Sequence, residues 1–101
     1  MLSVLIPVYN YDIRALVKRL HEQLIWSEII FEIIVLDDCS DHETTVLNTE
    51  IEQLKFTSYK ISSQNYGRVA TRQMLAEQSN YQWLLFLDAD VMPKSKQYIT
   101  N

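Results

Sequence analysis

Three short and nearly unbroken apolar runs, residues 3–6 (SVLI), 31–36 (FEIIVL) and 83–87 (WLLFL), each stop abruptly at polar residues or a proline. A strand with one wet face alternates apolar and polar residues. A strand that stays apolar throughout is covered on both faces, the condition of a parallel sheet lying between helices. The segments between the runs have the helical period that such a sheet requires. Ile13, Leu16, Val17, Leu20 and Leu24 recur at three- and four-residue spacing, with Arg14, Lys18, Arg19 and Glu22 on the wet side. After the second run, Ser40 followed three residues later by Glu43 reads as a capping box, opening a helix that carries Val46, Leu47, Glu50, Ile51 and Leu54. Residues 56–61 (FTSYKI) form a weaker, more polar strand that suits a sheet edge. Asn65 and Gly67 open a third helix running to about Ser79, and residues 81–87 make the fourth strand. The order β-α-β-α-β-α-β predicts one α/β domain over residues 1–101, a three-layer parallel sheet with right-handed crossovers.

Composition narrows the function classes. With 101 residues and 48% hydrophobic content the chain buries a core. Nine basic against thirteen acidic residues give a net charge of −4, with no Lys/Arg cluster to follow a phosphate backbone, so nucleic acid is not an expected partner. No apolar run approaches the roughly 20 residues of a membrane span, and the start MLSVLIPVYN lacks the marks of a signal peptide. A cytoplasmic location is expected. The single cysteine, Cys39, excludes an internal disulfide and a multi-cysteine metal site. Gly67 is the only glycine, where average usage gives about seven, and a lone glycine marks a backbone requirement.

The polar residues of interest all follow strands: Pro7, Tyr9 and Asn10 the first, Asp37 and Asp38 the second, Asn65 and Gly67 the third, Asp88 and Asp90 the fourth. In parallel sheets ligands bind at the carboxyl ends of the strands, where helix N-termini also point. Asp88 and Asp90 project to one side of a strand while Ala89 turns away. Mg²⁺ or Mn²⁺ would relieve the repulsion between them and keep positions open for phosphate oxygens. A solvated strand end with helix-capping aspartates explains the pair equally well. The bland readings elsewhere are an acidic pair favoured by a helix dipole for Asp37 and Asp38, packing for Tyr9, a simple turn for Gly67 and a solvated helix position for Arg72.

Taken in order, SVLIPVYN, EIIVLDDCSD, QNYGRVATR and LLFLDAD resemble the successive motifs of the inverting family 2 glycosyltransferases, which use nucleotide-diphosphate sugars on a Rossmann-like GT-A fold. The resemblance covers residues 2–93 and, with the crossover rule, implies the strand order 3-2-1-4. It places Tyr9 against uracil or another base, gives Asp38 a hydrogen bond from that base, and makes Asp37 a helper near the site. Pro7, Asn65 and Gly67 complete the nucleotide-binding set, Arg72 lies near the base and phosphates, and Asp88 addresses the ribose. Asp90, with Asp88, binds the Mn²⁺ or Mg²⁺ that bridges the diphosphate. The sequence departs from the family pattern at Gln73-Met74-Leu75, where Asn-x-Gly is frequent, and at Cys39, where glycine is common.

A complete domain of that family is much longer and carries its acceptor site and carboxylate base in the second half. The expectation is therefore a truncated sheet that binds a nucleotide-diphosphate sugar donor, UDP-linked, with no catalytic base of its own. Its acceptor is a glycan, lipid or protein hydroxyl, and the full-length protein lies at the inner face of the membrane. Residues 81–87, left uncovered at an edge, are expected to drive self-association. A receiver-like signalling domain would instead need an acidic pair after the first strand and a lysine after a fifth. A sugar nucleotidyltransferase would need a glycine-rich loop where Pro7-Val8-Tyr9-Asn10 stands. A purely structural α/β module requires the strand-end polar residues to be coincidental.

Overall fold

The structure is a computed structural model, and it describes residues 1–89. The elements run β1 (Leu2–Val8), α1 (Arg14–Ser27), β2 (Phe31–Asp37), α2 (His42–Asn48), a 3₁₀ turn (Thr49–Gln53), β3 (Thr57–Ile61), α3 (Arg68–Gln78) and β4 (Trp83–Phe86). The four strands form one parallel sheet in the order β3-β2-β1-β4, the order that the family resemblance implies with the crossover rule. β1 and β2 pair from Leu2 opposite Phe31 to Val8 opposite Asp37, so their carboxyl ends lie level.

Both faces of the sheet are buried at its central strands, β1 and β2. Val4, Ile6, Val8, Ile33 and Val35 pack with Leu16, Val17, Leu20 and Leu24 of α1 and with Ile51 of the 3₁₀ turn. Leu5, Ile34 and Leu36 pack on the other face with Leu75 of α3. Alternate residues of the same strand therefore serve opposite cores, which is why the runs are unbroken. Each fully buried Leu or Ile contributes about 1.5–3 kcal/mol of transfer free energy.

Pro7 belongs to β1 rather than ending it. The Leu5 carbonyl accepts from Leu87 N at 3.1 Å, so Leu5 and, two residues on, Pro7 turn their backbone toward β4. The β4 pairing ends at Leu5 opposite Phe86, and Pro7 leaves no ladder bond unmade.

The second helical segment departs from the expected pattern. It is a short α-helix followed by a 3₁₀ turn, with Val46 and Leu47 exposed and Asn48 and Ile51 fully buried. Asn48 fixes this rotation: its Oδ1 accepts from Ile13 N and its Nδ2 donates to the Tyr11 carbonyl, both at 2.9 Å. The helix is capped by Asp41, whose Oδ1 accepts from Thr44 N at 2.9 Å, not by a box of Ser40 and Glu43. Ser40 Oγ instead accepts from Asn10 N at 2.7 Å. Phe56, expected in the third strand, precedes it in a left-handed conformation (φ 63°). Among the described residues, no helix is long and apolar enough to cross a membrane.

Candidate functional site

At the carboxyl edge of the sheet lies an open cleft of about 700 Å³. Its lining comes from the end of β1 (Pro7, Val8, Tyr9, Tyr11), the end of β2 (Asp38), the entry to α3 (Asn65, Gly67, Arg68, Thr71) and the end of β4 (Asp88, Ala89). Six of the residues singled out in the sequence, Pro7, Tyr9, Asp38, Asn65, Gly67 and Asp88, therefore surround one space. Asp37 and Arg72 do not line it, and Asp90 lies outside the described residues.

The two adjacent aspartates are separated by the strand alternation. Asp37 is completely buried below the cleft, where its Oδ1 accepts from Ser40 N at 2.7 Å and its Oδ2 from the Tyr59 hydroxyl. Burial first, and then the bond to Asp37, hold the Tyr59 hydroxyl far above the usual range for losing its proton. Tyr59 is thus a fixed donor. Asp37 reaches the cleft only through the loop that it holds. Asn10 braces the same loop: besides its bond to Ser40, its Oδ1 accepts from Asp41 N at 2.8 Å.

Asp38 points the other way. Its Oδ1 accepts from Tyr66 N at 2.7 Å and its Oδ2 from Gly67 N at 2.9 Å, while its own N–H donates to the Val8 carbonyl at 2.8 Å. The Asp38 carbonyl accepts from Asn65 Nδ2 at 3.2 Å. One residue thereby joins the ends of β1 and β2 to the start of α3. Gly67 adopts φ +92°, with nothing within 4 Å of where a Cβ would stand, so conformation and not space requires glycine there.

Asp88 pairs with Arg68, Nη2 to Oδ1 at 2.5 Å, and both side chains are partly exposed. Arg72 lies one helical turn deeper, its guanidinium 4.8 Å from the centre of the Phe86 ring. Four residues of helix span about 6 Å and two of strand about 6.6 Å, so these contacts are successive rungs between α3 and β4, with only the upper one at the cleft. Arg68 was not among the residues singled out from sequence. Its signal was its place: directly after the lone glycine, at the first position of a helix, where the dipole disfavours a cation.

Chemically, the cleft offers two tyrosine rings, two carboxylates and one guanidinium. Among the described residues there is no group of three or more His, Cys, Asp or Glu side chains that could hold a metal ion. Asp88 alone presents a partly exposed carboxylate of the hard-oxygen type that Mg²⁺ and Mn²⁺ accept singly or in pairs alongside phosphate oxygens.

The chain is 34% identical over 93 residues to an uncharacterized glycosyltransferase of Haemophilus influenzae, covering 89% of this chain and 29% of that protein. The crystal structure of S. aureus TarS residues 1–349 superposes with a TM-score of 0.79 at 25% identity, covering 98% of this chain and 30% of that one. TarS 1–349 in complex with UDP-GlcNAc gives 0.74 at 26% identity, over 88% of this chain and 26% of that one. The mannosyltransferase PcManGT from Pyrobaculum calidifontis, in complex with GDP-Man and Mn²⁺, gives 0.75 at 14% identity, over 95% and 29%, a likeness of fold alone. The chain thus spans less than a third of the length of these relatives. Residues 3–99 match Glycosyl transferase family 2, and the chain belongs to that family.

Proposed function

We propose that the cleft binds the nucleoside diphosphate of a sugar donor, UDP-linked in the first instance, for transfer of the sugar to an acceptor hydroxyl by the whole protein. The observation that carries this reading is the convergence of Tyr9, Asp38, Asn65, Gly67 and Asp88, from four separate segments, on one cleft. TarS, which binds UDP and UDP-GlcNAc, adds support at 26% identity.

Each residue then has a task its surroundings permit. Tyr9, half-exposed at the end of β1, offers a ring face to the base, and stacking of this kind contributes about 1–3 kcal/mol. Each Asp38 oxygen holds one backbone N–H, which leaves further lone pairs to accept an N–H from the base. Pro7 and Gly67 shape the walls without side-chain polarity. Asp88 accepts from a ribose hydroxyl or, together with Asp90, holds Mn²⁺ or Mg²⁺. A divalent cation, when bound, neutralises charge on the departing diphosphate. The base that takes the proton from the acceptor hydroxyl is assigned to the part of the protein outside this chain, so the 101-residue chain alone binds donor without transferring sugar.

Calorimetric titration tests the reading. UDP with Mn²⁺ should bind measurably and more weakly in EDTA. At about 100 times its dissociation constant it should stabilise the fold by about 2.7 kcal/mol, seen as a rise in Tm. Tyr9→Ala should lose about 1–3 kcal/mol of UDP affinity with no loss of fold. No heat with UDP and Mn²⁺, or equal affinity in EDTA, would overturn the donor or the metal part respectively.

A further inference from the structure

We propose that Arg68 is the residue that receives the diphosphate in this cleft, giving up its ion pair with Asp88 to do so. The proposal rests on the nucleotide reading above and extends it to a residue and a task.

A helix N-terminus at a sheet's carboxyl edge is the usual seat for phosphate, because its free N–H groups point outward. Here a carboxylate already stands beside that seat. The Tyr66 and Gly67 N–H groups just ahead of α3 are both bonded to the Asp38 carboxylate, at 2.7 and 2.9 Å, so a fixed negative charge already stands at the entry to the helix. A diphosphate entering the cleft would then meet the carboxylates of Asp38 and Asp88. A side-chain cation must offset them.

Arg68 is the one Lys or Arg among the described cleft-lining residues. Arg72, one turn on, lies over the Phe86 ring and does not line the cleft. The position of Arg68 is also locally unfavourable. It is the first residue of α3, where the dipole opposes a positive charge, and no acidic residue stands in that first turn. A residue that breaks a local rule at the mouth of a cleft has the mark of a functional one.

The Asp88 pairing does not contradict this role. With the side chains 67% and 42% exposed, it is a surface ion pair in high dielectric, which contributes little and exchanges readily. The guanidinium fork matches two phosphate oxygens better than it matches a single carboxylate oxygen. The same exchange releases Asp88 for ribose or cation, so phosphate capture and the freeing of Asp88 become one event.

Titration of the protein with UDP and with uridine, for the native sequence, Arg68→Gln and Arg68→Lys, tests the assignment. Arg68→Gln should lose about tenfold or more in UDP affinity, leave uridine affinity unchanged and melt at the native temperature, with Arg68→Lys between the two. Inorganic diphosphate should compete with UDP for the native protein and much less for Arg68→Gln. Full UDP affinity in Arg68→Gln overturns the assignment and leaves the nucleotide reading standing. An equal loss for UDP and uridine also overturns it, because the contact is then not to phosphate. A native protein that binds neither ligand overturns both.

Discussion

Gly67 and Cys39 have in common a backbone that disfavours side chains, with φ of +92° and 65°. At Gly67 the cleft-side N–H depends on that conformation, since it holds Asp38. Gly67→Ala is expected to destabilise by about 1–3 kcal/mol, although an added methyl meets nothing, because the cost is conformational. Denaturant titration checks it, and a neutral variant would mean that the loop relaxes at no cost. Cys39 has the opposite outlook. It is exposed, so Cys39→Gly relieves the left-handed strain of order 1 kcal/mol, partly offset by the greater freedom of glycine in the unfolded chain. The expected result is a change between zero and about 1 kcal/mol in favour of the fold, with the thiol removed. That the lone glycine marks a backbone need was legible in the sequence; that Cys39 shares the need was signalled only by the family resemblance, in which glycine is common there, because nothing in a cysteine's identity announces positive φ.

At the scale of elements, two polar staples hold pieces that hydrophobic period alone would place loosely. Asn48 satisfies Ile13 N and the Tyr11 carbonyl, tying the 3₁₀ region to the start of α1. Asn48→Leu leaves Ile13 N unpaired in a buried setting and the Tyr11 carbonyl unpaired in a part-buried one, and should cost about 1–3 kcal/mol, read from urea denaturation. Glu32, at the start of β2, accepts from Ser3 Oγ and Asn80 N, each at 2.6 Å, and from Asn80 Nδ2 at 2.8 Å, and so clips β1, β2 and the approach to β4 together. Burial pushes its carboxyl upward, but the bonds from Ser3 and Asn80 outweigh it, and the carboxyl is held below the ordinary glutamate value of 4.5. A depressed folded-state value contributes stability that is fully present above the ordinary value and is lost as pH falls through the lowered one. Below about pH 4.5 the native protein should therefore lose stability more steeply than Glu32→Gln. Parallel pH profiles would remove Glu32 from this role.

For the whole molecule, the exposed edge is the main liability. β4 is the last strand of the sheet among the described residues, with Trp83 68% and Leu84 41% exposed. The expected outcome is concentration-dependent association of the 101-residue chain, read by sedimentation velocity. Leu84→Lys is the probe for it, because Leu85 packs against the core and its replacement would damage the fold itself. A chain that remains monomeric at high concentration would remove the edge as the cause.

The sequence by itself determined the layered α/β architecture, the parallel sheet and the gathering of polar residues at one carboxyl edge, because burial on both faces writes a local signature into the central strands. Helix capping was read one residue away from its true place, since Ser40 and Asp41 are both competent caps and only the bond from Asn10 N assigns Ser40 elsewhere. Tertiary structure alone decided which of Asp37 and Asp38 faces the cleft, why Asn48 is buried while Val46 and Leu47 are not, and why Arg68 rather than Arg72 stands at the site. Each of these turns on partners roughly twenty or more residues away: Tyr59 for Asp37, Gly67 for Asp38, Ile13 for Asn48, Asp88 for Arg68. Hydrophobic period reports which face of an element is dry. How far along its axis the element stands against its neighbour is set by packing across the sheet, and at about 1.5 Å per helical residue that offset decides which arginine the cleft receives.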